Sequence, residues 1–234
     1  MPSTTKRSSQ MDNHLLAALP QKEYQRLRPH LKEIPLLFED VLYQADSTIS
    51  DVFFPGSGII SLLAGVKERG TIEVGMVGRE GMVGLPIFMG VKASHNFAVV
   101  QGAGFAMSMK ATMFRQETSD GKPLSRILQR YTHSVLTQIS QSAVCNQFHS
   151  VDARLARWLL MTHDRQDQDE FQLTQEFLSN MLGVRREAVS KVAGELQRRK
   201  LISYSRGRLK VLNRMGLEAV SCSCYQLIRD ESAE

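Results

Sequence analysis

The stretch that decides the fold runs from residue 173 to residue 212 and reads LTQEFLSNMLGVRREAVSKVAGELQRRKLISYSRGRLKVL. Thr174 predicts the N-cap of a first short helix, because its hydroxyl can accept a hydrogen bond from the first turn. Gly183 predicts the end of that helix, since glycine adopts the left-handed conformation without steric cost. Two short helices joined by a glycine-containing turn predict a helix-turn-helix.

The second helix of this pair predicts a surface that contacts DNA. Ala188, Val189, Val192 and Leu196 recur on one face, which leaves a polar face toward the N-terminal end. Base contacts belong at that end of the second helix. Arginine suits guanine, and glutamate can accept a hydrogen bond from cytosine. We expect eight residues to bind DNA, the last two of them in the segment after this helix: Thr174, Arg185, Arg186, Glu187, Ser190, Lys191, Arg206 and Arg208.

A basic hairpin follows the second helix. Residues 202–204 and 209–212 are typical of short strands, with Arg206, Gly207 and Arg208 in the turn between them. Such a hairpin is a wing, whose Arg206 and Arg208 would contact backbone phosphates. Residues 185–214 hold ten Lys or Arg and two acidic residues, although the whole chain carries a net charge of only +5. This concentration of positive charge favours double-stranded DNA as the partner.

The first half of the chain has a different pattern of apolar residues. Between residues 34 and 113, short apolar runs recur about every eight to twelve residues, which is typical of an all-β sandwich or barrel. Predicted turns at residues 55–58 and 78–81 separate some of these runs. We therefore predict an α+β fold: an N-terminal β-roll of the jelly-roll type, a long dimerisation helix and a C-terminal winged helix-turn-helix. The predicted boundaries are a disordered leader at 1–12, a β-roll sensor domain at 13–121, the dimerisation helix at 122–149 and the DNA-binding domain at 150–234.

The long helix predicts a homodimer. Leu124, Leu128, Tyr131 and Val135 step by four, three and four residues, like a coiled-coil seam. The alternative is a single amphipathic helix packed on its own domain. The seam continues onto polar or small residues, namely Gln138, Ser142, Cys145 and His149. Beyond the helix, the polar stretch at residues 162–170 predicts a loop.

The sequence resembles the Crp/Fnr family of transcription regulators over nearly its whole length. The motifs that carry the resemblance are FPGSGIISL at residues 54–62, VGREGMVG at 77–84, the long helix, and the helix-turn-helix with its wing. The resemblance implies a sensor like a cyclic-nucleotide-binding domain, and RNA polymerase as a further partner. It also implies that Arg186, Glu187 and Lys191 read bases, while Thr174 contacts a phosphate.

The sensor half departs from the family's cyclic-nucleotide pattern. The resemblance places a Glu where this chain has Leu85, and an Arg-Ser/Thr pair near Asn96 and Phe97. A buried cyclic phosphate would lack its charge-assisted partners there. We therefore expect a degenerate pocket that does not take cyclic AMP, with the effector either a different small molecule or absent. The residues assigned to this pocket are Gly84, Leu85, Asn96, Phe97 and Ala98.

The three cysteines leave a second hypothesis open. Cys222 and Cys224 could bind a metal or respond to oxidation, and Cys145 on the seam is a further redox candidate. A closed zinc site needs four ligands, however, and only two soft ligands lie close together in the sequence. A packing role is therefore favoured, and a redox- or metal-responsive protein using these cysteines is the alternative function.

We expect no cofactor. The iron–sulfur members of the family that this sequence resembles carry an N-terminal cysteine cluster. This chain has no cysteine before Cys145. A haem ligand could come from one of the histidines at 14, 30, 95, 133 or 149, but a lone histidine is more often structural. The sequence shows no activated nucleophile, phosphate-binding loop or paired carboxylates, so we do not expect an enzyme. It has no membrane-length apolar run and too few cysteines for a disulfide framework, which predicts a cytoplasmic protein without a membrane partner.

Overall fold

The computed structural model of the chain describes residues 12–66, 70–118, 121–166 and 168–231. The predicted leader lies outside the described residues, apart from Asp12. Of the helices described, none is long and apolar enough to cross a membrane. The mixed helix and sheet architecture confirms the predicted fold class.

An antiparallel sheet dominates the N-terminal half. Five strands take the order β1-β5-β3-β4, with β2 also paired to β5. The elements of this half are α1 (His14–Ala17), α2 (Gln21–Leu27), a 3-10 turn (Arg28–His30), β1 (Lys32–Leu36), β2 (Val41–Tyr43), β3 (Asp51–Val66), β4 (Gly70–Val77), α3 (Leu85–Phe88), β5 (Phe97–Lys110) and α4 (Ala111–Glu117).

The predicted turn at residues 55–58 is wrong, because strand β3 runs straight through it. The register between β3 and β5 shifts there, so the glycines mark bulges rather than a chain reversal. Gly58 has a φ of 82°, and a Cβ on it would lie 2.5 Å from the carbonyl oxygen of Gly102. The glycine is required by the close approach of two strands. The predicted turn at residues 78–81 is confirmed.

Asn13 holds the segment that leads into α1 against the sheet. Its side-chain amide donates to the carbonyl oxygens of Pro55 and Gly81, at 2.9 and 2.8 Å. Its Oδ1 accepts from the backbone N–H of Leu16 and so caps α1. All the polar atoms of this buried side chain therefore have partners.

Helix α5 (Pro123–Phe148) covers the open edge of the sheet. The Gln138 side chain accepts from the backbone N–H of Met76 and donates to its carbonyl oxygen, so it pairs with the unpaired side of β4. Leu124, Leu128 and Val135 are buried in the core of the β-roll. The prediction that this seam faces a second chain is wrong, because the same chain covers it.

The C-terminal part is built from α6 (Val151–Arg165), β6 (Glu170–Gln172), α7 (Gln175–Leu182), α8 (Arg186–Arg198), β7 (Ile202–Ser205), β8 (Arg208–Val211), α9 (Arg214–Val220) and α10 (Cys224–Glu231). The three strands form a sheet in the order β6-β8-β7.

The predicted loop at residues 162–170 is wrong at both ends. Its first residues continue α6 and its last residue begins β6. Two of the polar side chains there bond to the β-roll. Thr162 Oγ1 accepts from the Gln101 amide at 2.8 Å, and Arg165 Nε donates to Glu80 at 2.7 Å. Residues 162–165 are therefore a polar helix end rather than a solvated loop.

The C-terminal part also packs directly on the N-terminal half. The rings of Phe38 and Phe177 lie 5.3 Å apart, and Trp158 Nε1 donates to Glu73 Oε1 at 3.0 Å. Gly183 lies so close to Ile72 that a Cβ on it would be 2.8 Å from the Ile72 side chain. The turn glycine therefore serves both the helix end and this contact.

Candidate DNA-binding surface

Helix α7 begins and ends as the sequence predicts. Thr174 Oγ1 accepts from the backbone N–H of Phe177 at 3.0 Å, which is the expected N-cap bond. Gly183 has a φ of 62° and ends the helix in the left-handed conformation. The buried Arg154 guanidinium on α6 donates to the carbonyl oxygen of Leu182, so it satisfies one of the last carbonyls of α7.

Helix α8 presents the predicted DNA-contacting residues to solvent. Val189, Ala193 and Leu196 are buried beneath it. All eight residues assigned to DNA binding are exposed: Thr174, Arg185, Arg186, Glu187, Ser190, Lys191, Arg206 and Arg208. Arg185 is the N-cap, so α8 starts at Arg186 and its first turns carry the polar face.

Gln175 is a member of this surface that sequence reasoning missed. Its Oε1 accepts from Ser190 Oγ at 2.8 Å and from Arg186 Nε at 3.5 Å. The contact links the first turn of α7 to two of the predicted recognition residues on α8. A Gln directly after the N-cap was the only sequence signal, and it does not reveal a partner 15 residues further on.

The wing is a tight hairpin with two left-handed residues at its tip. Arg206 has a φ of 50° and Gly207 a φ of 74°, while Ser205 pairs with Arg208 across the turn. Positive φ at both central residues is the type I′ pattern of two-residue hairpins. The backbone thus holds Arg206 outward at the tip.

Arg208 differs from Arg206 in having an acidic partner. Its Nη1 lies 3.2 Å from Glu170 Oε1, across the β6–β8 pair. Both side chains are exposed, so the pair is weak and a phosphate could compete for the arginine.

A cleft joins the helix-turn-helix to the wing. Tyr204 fixes its floor, since its hydroxyl donates to the carbonyl oxygen of Leu173 at 2.9 Å. Burial raises the pKa of Tyr204, and the charge of Arg186 opposes that rise. The residues that line the cleft are Thr174, Gln175, Arg186, Tyr204, Arg206 and Gly207.

The predicted effector pocket is only partly assembled. Gly84, Leu85 and Asn96 line a cavity of about 110 Å³ between the β-roll and α5. Ala98 is instead buried in the sheet core, and Phe97 packs against the hydrophobic cluster shared with α6. The remaining lining residues are Tyr43, Leu62, Met82, Pro86, Met89, Ser94, Thr132, Val135, Leu136 and Ile139, so no described lining residue is cationic.

The cysteines form a cluster that the sequence did not predict. Cys145, Cys222 and Cys224 are free and buried, and they meet at the C-terminal end of α5. His149 lies with them, so four potential ligand atoms are within 4.8 Å of one another. The expectation that only two soft ligands come together is wrong.

A helix-turn-helix with a wing, joined through a long helix to a β-roll, is the architecture of a DNA-binding regulator. Residues 153–220 match the family model of the Crp-like helix-turn-helix domain. A transcriptional regulator of the Crp/Fnr family from Eubacterium rectale matches with a TM-score of 0.71 and 16% identity, over 89% of this chain and 98% of that chain. FixK2 from Bradyrhizobium japonicum matches with a TM-score of 0.69 and 14% identity, over 82% and 98%.

A CooA variant from Carboxydothermus hydrogenoformans matches with a TM-score of 0.63 and 17% identity, over 91% of this chain and 99% of that chain. Comparison with curated protein sequences gives no match. The chain thus carries a Crp-like helix-turn-helix domain on the fold of the Crp/Fnr transcription regulators, which confirms the resemblance.

Proposed function

We propose that the chain is a sequence-specific DNA-binding transcription regulator that acts as a homodimer in the cytoplasm. The observation that carries the proposal is the surface just described, in which all the predicted contact residues are exposed on α8, at the N-caps of α7 and α8, and on the wing. In this proposal the β-roll sensor comprises residues 13–121, the dimerisation helix 122–149 and the DNA-binding domain 150–234.

The residues at the start of α8 take the base-reading role. Arg186 can donate two hydrogen bonds to guanine, Glu187 can accept from cytosine, and Lys191 can serve a base or a phosphate. The contacts of Gln175 with Arg186 and Ser190 hold this end of the surface in place before DNA arrives. Ordering these side chains in advance lowers the entropic cost of binding.

The remaining residues take the phosphate role. Thr174 and Arg185 lie at the N-terminal ends of α7 and α8, where helix dipoles favour an anion. Arg206 and Arg208 extend the positive surface along the wing. Phosphate contacts position a protein on the duplex and make its affinity depend on salt.

The homodimer uses a different face of α5 from the one that the sequence predicts. Leu136, Val144 and Phe148 are 56%, 43% and 76% exposed, which is unusual for large apolar side chains. Leu136 and Ala143 lie two helical turns apart on that exposed side, and Ile139 between them is partly buried at its edge. A second copy of the same helix would bury this stripe and place two recognition helices about one DNA turn apart.

The residues that line the cavity beneath α5 do not suit cyclic AMP, which argues against control by cyclic AMP through the usual pocket. The cavity of about 110 Å³ is smaller than the roughly 300–1,000 Å³ typical of small-molecule sites. No described residue around it offers a positive charge for a cyclic phosphate. We propose that the effector is an unidentified small molecule or that the protein has none. We also propose RNA polymerase as a partner of the DNA-bound dimer.

Selection of bound sites from random duplexes, at two salt concentrations, tests the proposal with full-length protein. We expect Arg186→Ala to weaken specific binding by roughly 1–3 kcal/mol and to relax one base position in each half-site. Arg206→Asn should weaken all sequences about equally and reduce the salt dependence, because Asn tolerates the left-handed turn while the charge is lost. Arg198→Ala, at the far end of the same helix, is the matched control.

The proposal fails if no sequence is enriched. The assignment of base and phosphate roles fails if Arg186→Ala and Arg206→Asn cause the same uniform loss. Recovery of a single unrepeated half-site would contradict the homodimer.

A further inference from the structure

Three cysteines and one histidine converge where α5 ends and α10 begins. Cys145 and His149 are four residues apart on the last turn of α5 and its C-cap, so they share one face of the helix. Cys222 and Cys224 flank Ser223 just before and at the start of α10. The Cys145 and Cys222 sulfurs are 3.5 Å apart, and Cys224 Sγ lies 3.4 Å from His149 Nδ1.

These separations match the edges of a metal tetrahedron. Zinc binds cysteine sulfur at about 2.3 Å and histidine nitrogen at about 2.0–2.1 Å, so neighbouring ligands in a tetrahedral site lie roughly 3.5–3.8 Å apart. The Cys145–Cys222 and Cys224–His149 pairs, at 3.5 and 3.4 Å, are within about 0.3 Å of those edges, and all four ligand atoms lie within 4.8 Å of one another. Little movement is needed for all four to reach a common centre.

A further hydrogen bond orients one of the sulfurs. Gln141, one helical turn before Cys145, donates from Nε2 to Cys224 Sγ at 3.0 Å. Donors of this kind around a metal centre fix the direction of the ligand and stabilise its charge. Gln141 therefore acts as a positioning residue for a thiolate.

The electrostatic surroundings favour an anionic centre. Zn²⁺ with three thiolates and a neutral histidine carries a net charge of −1. Arg154 and Arg157 on α6 are buried, and neither makes an ion pair within 4 Å among the described residues. The Nε atom of each lacks a hydrogen-bond partner in the same part of the chain. Arg157 interacts electrostatically with both Cys145 and Glu73, so the cluster lies within the field of that charge.

We propose that Cys145, His149, Cys222 and Cys224 bind one Zn²⁺ ion per chain in a closed structural site. The three thiols release their protons to solvent as the metal binds. Four protein ligands leave no open position, so the ion serves structure rather than catalysis. The site links the end of the long helix to α10, next to the junction between α5 and α6.

The first test measures metal in full-length wild-type protein purified without added chelator. We expect one zinc per chain, and we expect Co²⁺ to replace it with the intense visible absorption of tetrahedral coordination and a sulfur-to-cobalt charge-transfer band. Bound zinc should also protect the three cysteine thiols from chemical modification. Metal-free wild-type protein that takes up neither Zn²⁺ nor Co²⁺ would overturn the proposal, as would purification with a Cys145–Cys222 disulfide.

Variants then assign the ligands. Cys222→Ser and His149→Ala should each lose stoichiometric metal, whereas Ser223→Ala, between the two cysteines, should keep it. Gln141→Ala should retain the metal with roughly 10–100-fold weaker affinity. Because a ligand variant can fail to fold, His149→Cys provides a second arm: it keeps four ligands and should bind Co²⁺ with stronger charge-transfer absorption. Metal binding that is unchanged in folded Cys222→Ser protein would contradict the assignment.

Discussion

Glu73 is expected to make the protein less stable as the pH rises, and Glu73→Gln should remove that dependence. Glu73 Oε2 lies 2.6 Å from Ser61 Oγ, and Trp158 Nε1 donates to its other oxygen. Ser61 Oγ also lies 2.8 Å from Gln101 Oε1. A single hydroxyl hydrogen cannot be donated to both acceptors, but a proton on Glu73 satisfies the whole chain of hydrogen bonds.

The magnitude follows from the pKa of this carboxyl. Burial raises the pKa of Glu73 from 4.5 to about 7, while Ser61, Arg157, Trp158 and Arg165 partly oppose the rise. The folded state therefore binds the proton more tightly than the unfolded state does. The free energy of unfolding falls as the pH rises from about 4.5 to 7, and above that range the loss is complete. Its upper limit is about 3.4 kcal/mol, and partial exposure of the side chain reduces this to about 2 kcal/mol.

Urea denaturation between pH 5 and pH 8 checks this prediction. Glu73→Gln keeps the shape and can donate to Ser61, so it mimics the protonated acid. We expect it to be about 2 kcal/mol more stable than wild type at pH 8 and less than about 1 kcal/mol more stable at pH 5. Glu33→Gln, at an exposed position on β1, is the control and should follow the wild-type profile. Parallel loss of stability in wild type and Glu73→Gln over this range would refute the reasoning.

Three further outcomes are expected. Leu136→Glu should convert the dimer to monomer without unfolding it, because a charge then occupies the exposed stripe of α5; light scattering that still shows a dimer would place the interface elsewhere. Isothermal titration with cyclic AMP and cyclic GMP should show no micromolar binding, since Leu85 and its neighbours supply no charge to the phosphate; measurable binding would show that the pocket was misassigned. Lys200→Gly should raise the free energy of unfolding by about 0.5–1 kcal/mol, because Lys200, the residue after the C-cap of α8, has a φ of 57° where glycine has no steric penalty. A destabilised variant in thermal melts would contradict this.

The sequence alone determined the features that depend on neighbours along the chain. The N-cap at Thr174, the left-handed Gly183 and the wing turn at Gly207 are local in this sense, because a few adjacent residues set each backbone conformation. The apolar spacing of α8 likewise determined which side is buried, and so which side presents Arg186 and Lys191. These local rules were enough to predict which residues the candidate DNA-binding surface exposes.

Tertiary structure decided the features that depend on what packs nearby. Helix α5 has two apolar stripes, and periodicity alone does not show that the one through Leu128 is covered by its own sheet while Leu136 stays exposed. The glycines in the segment 55–58 could end a strand or form a β-bulge within it. The close approach of β5 determines that they form a bulge. The cysteine cluster is the extreme case, since Cys145 and Cys222 are 77 residues apart and meet only because α10 folds back along α5. Distances between elements arise from packing, and the spacing of residues along one element carries no information about them.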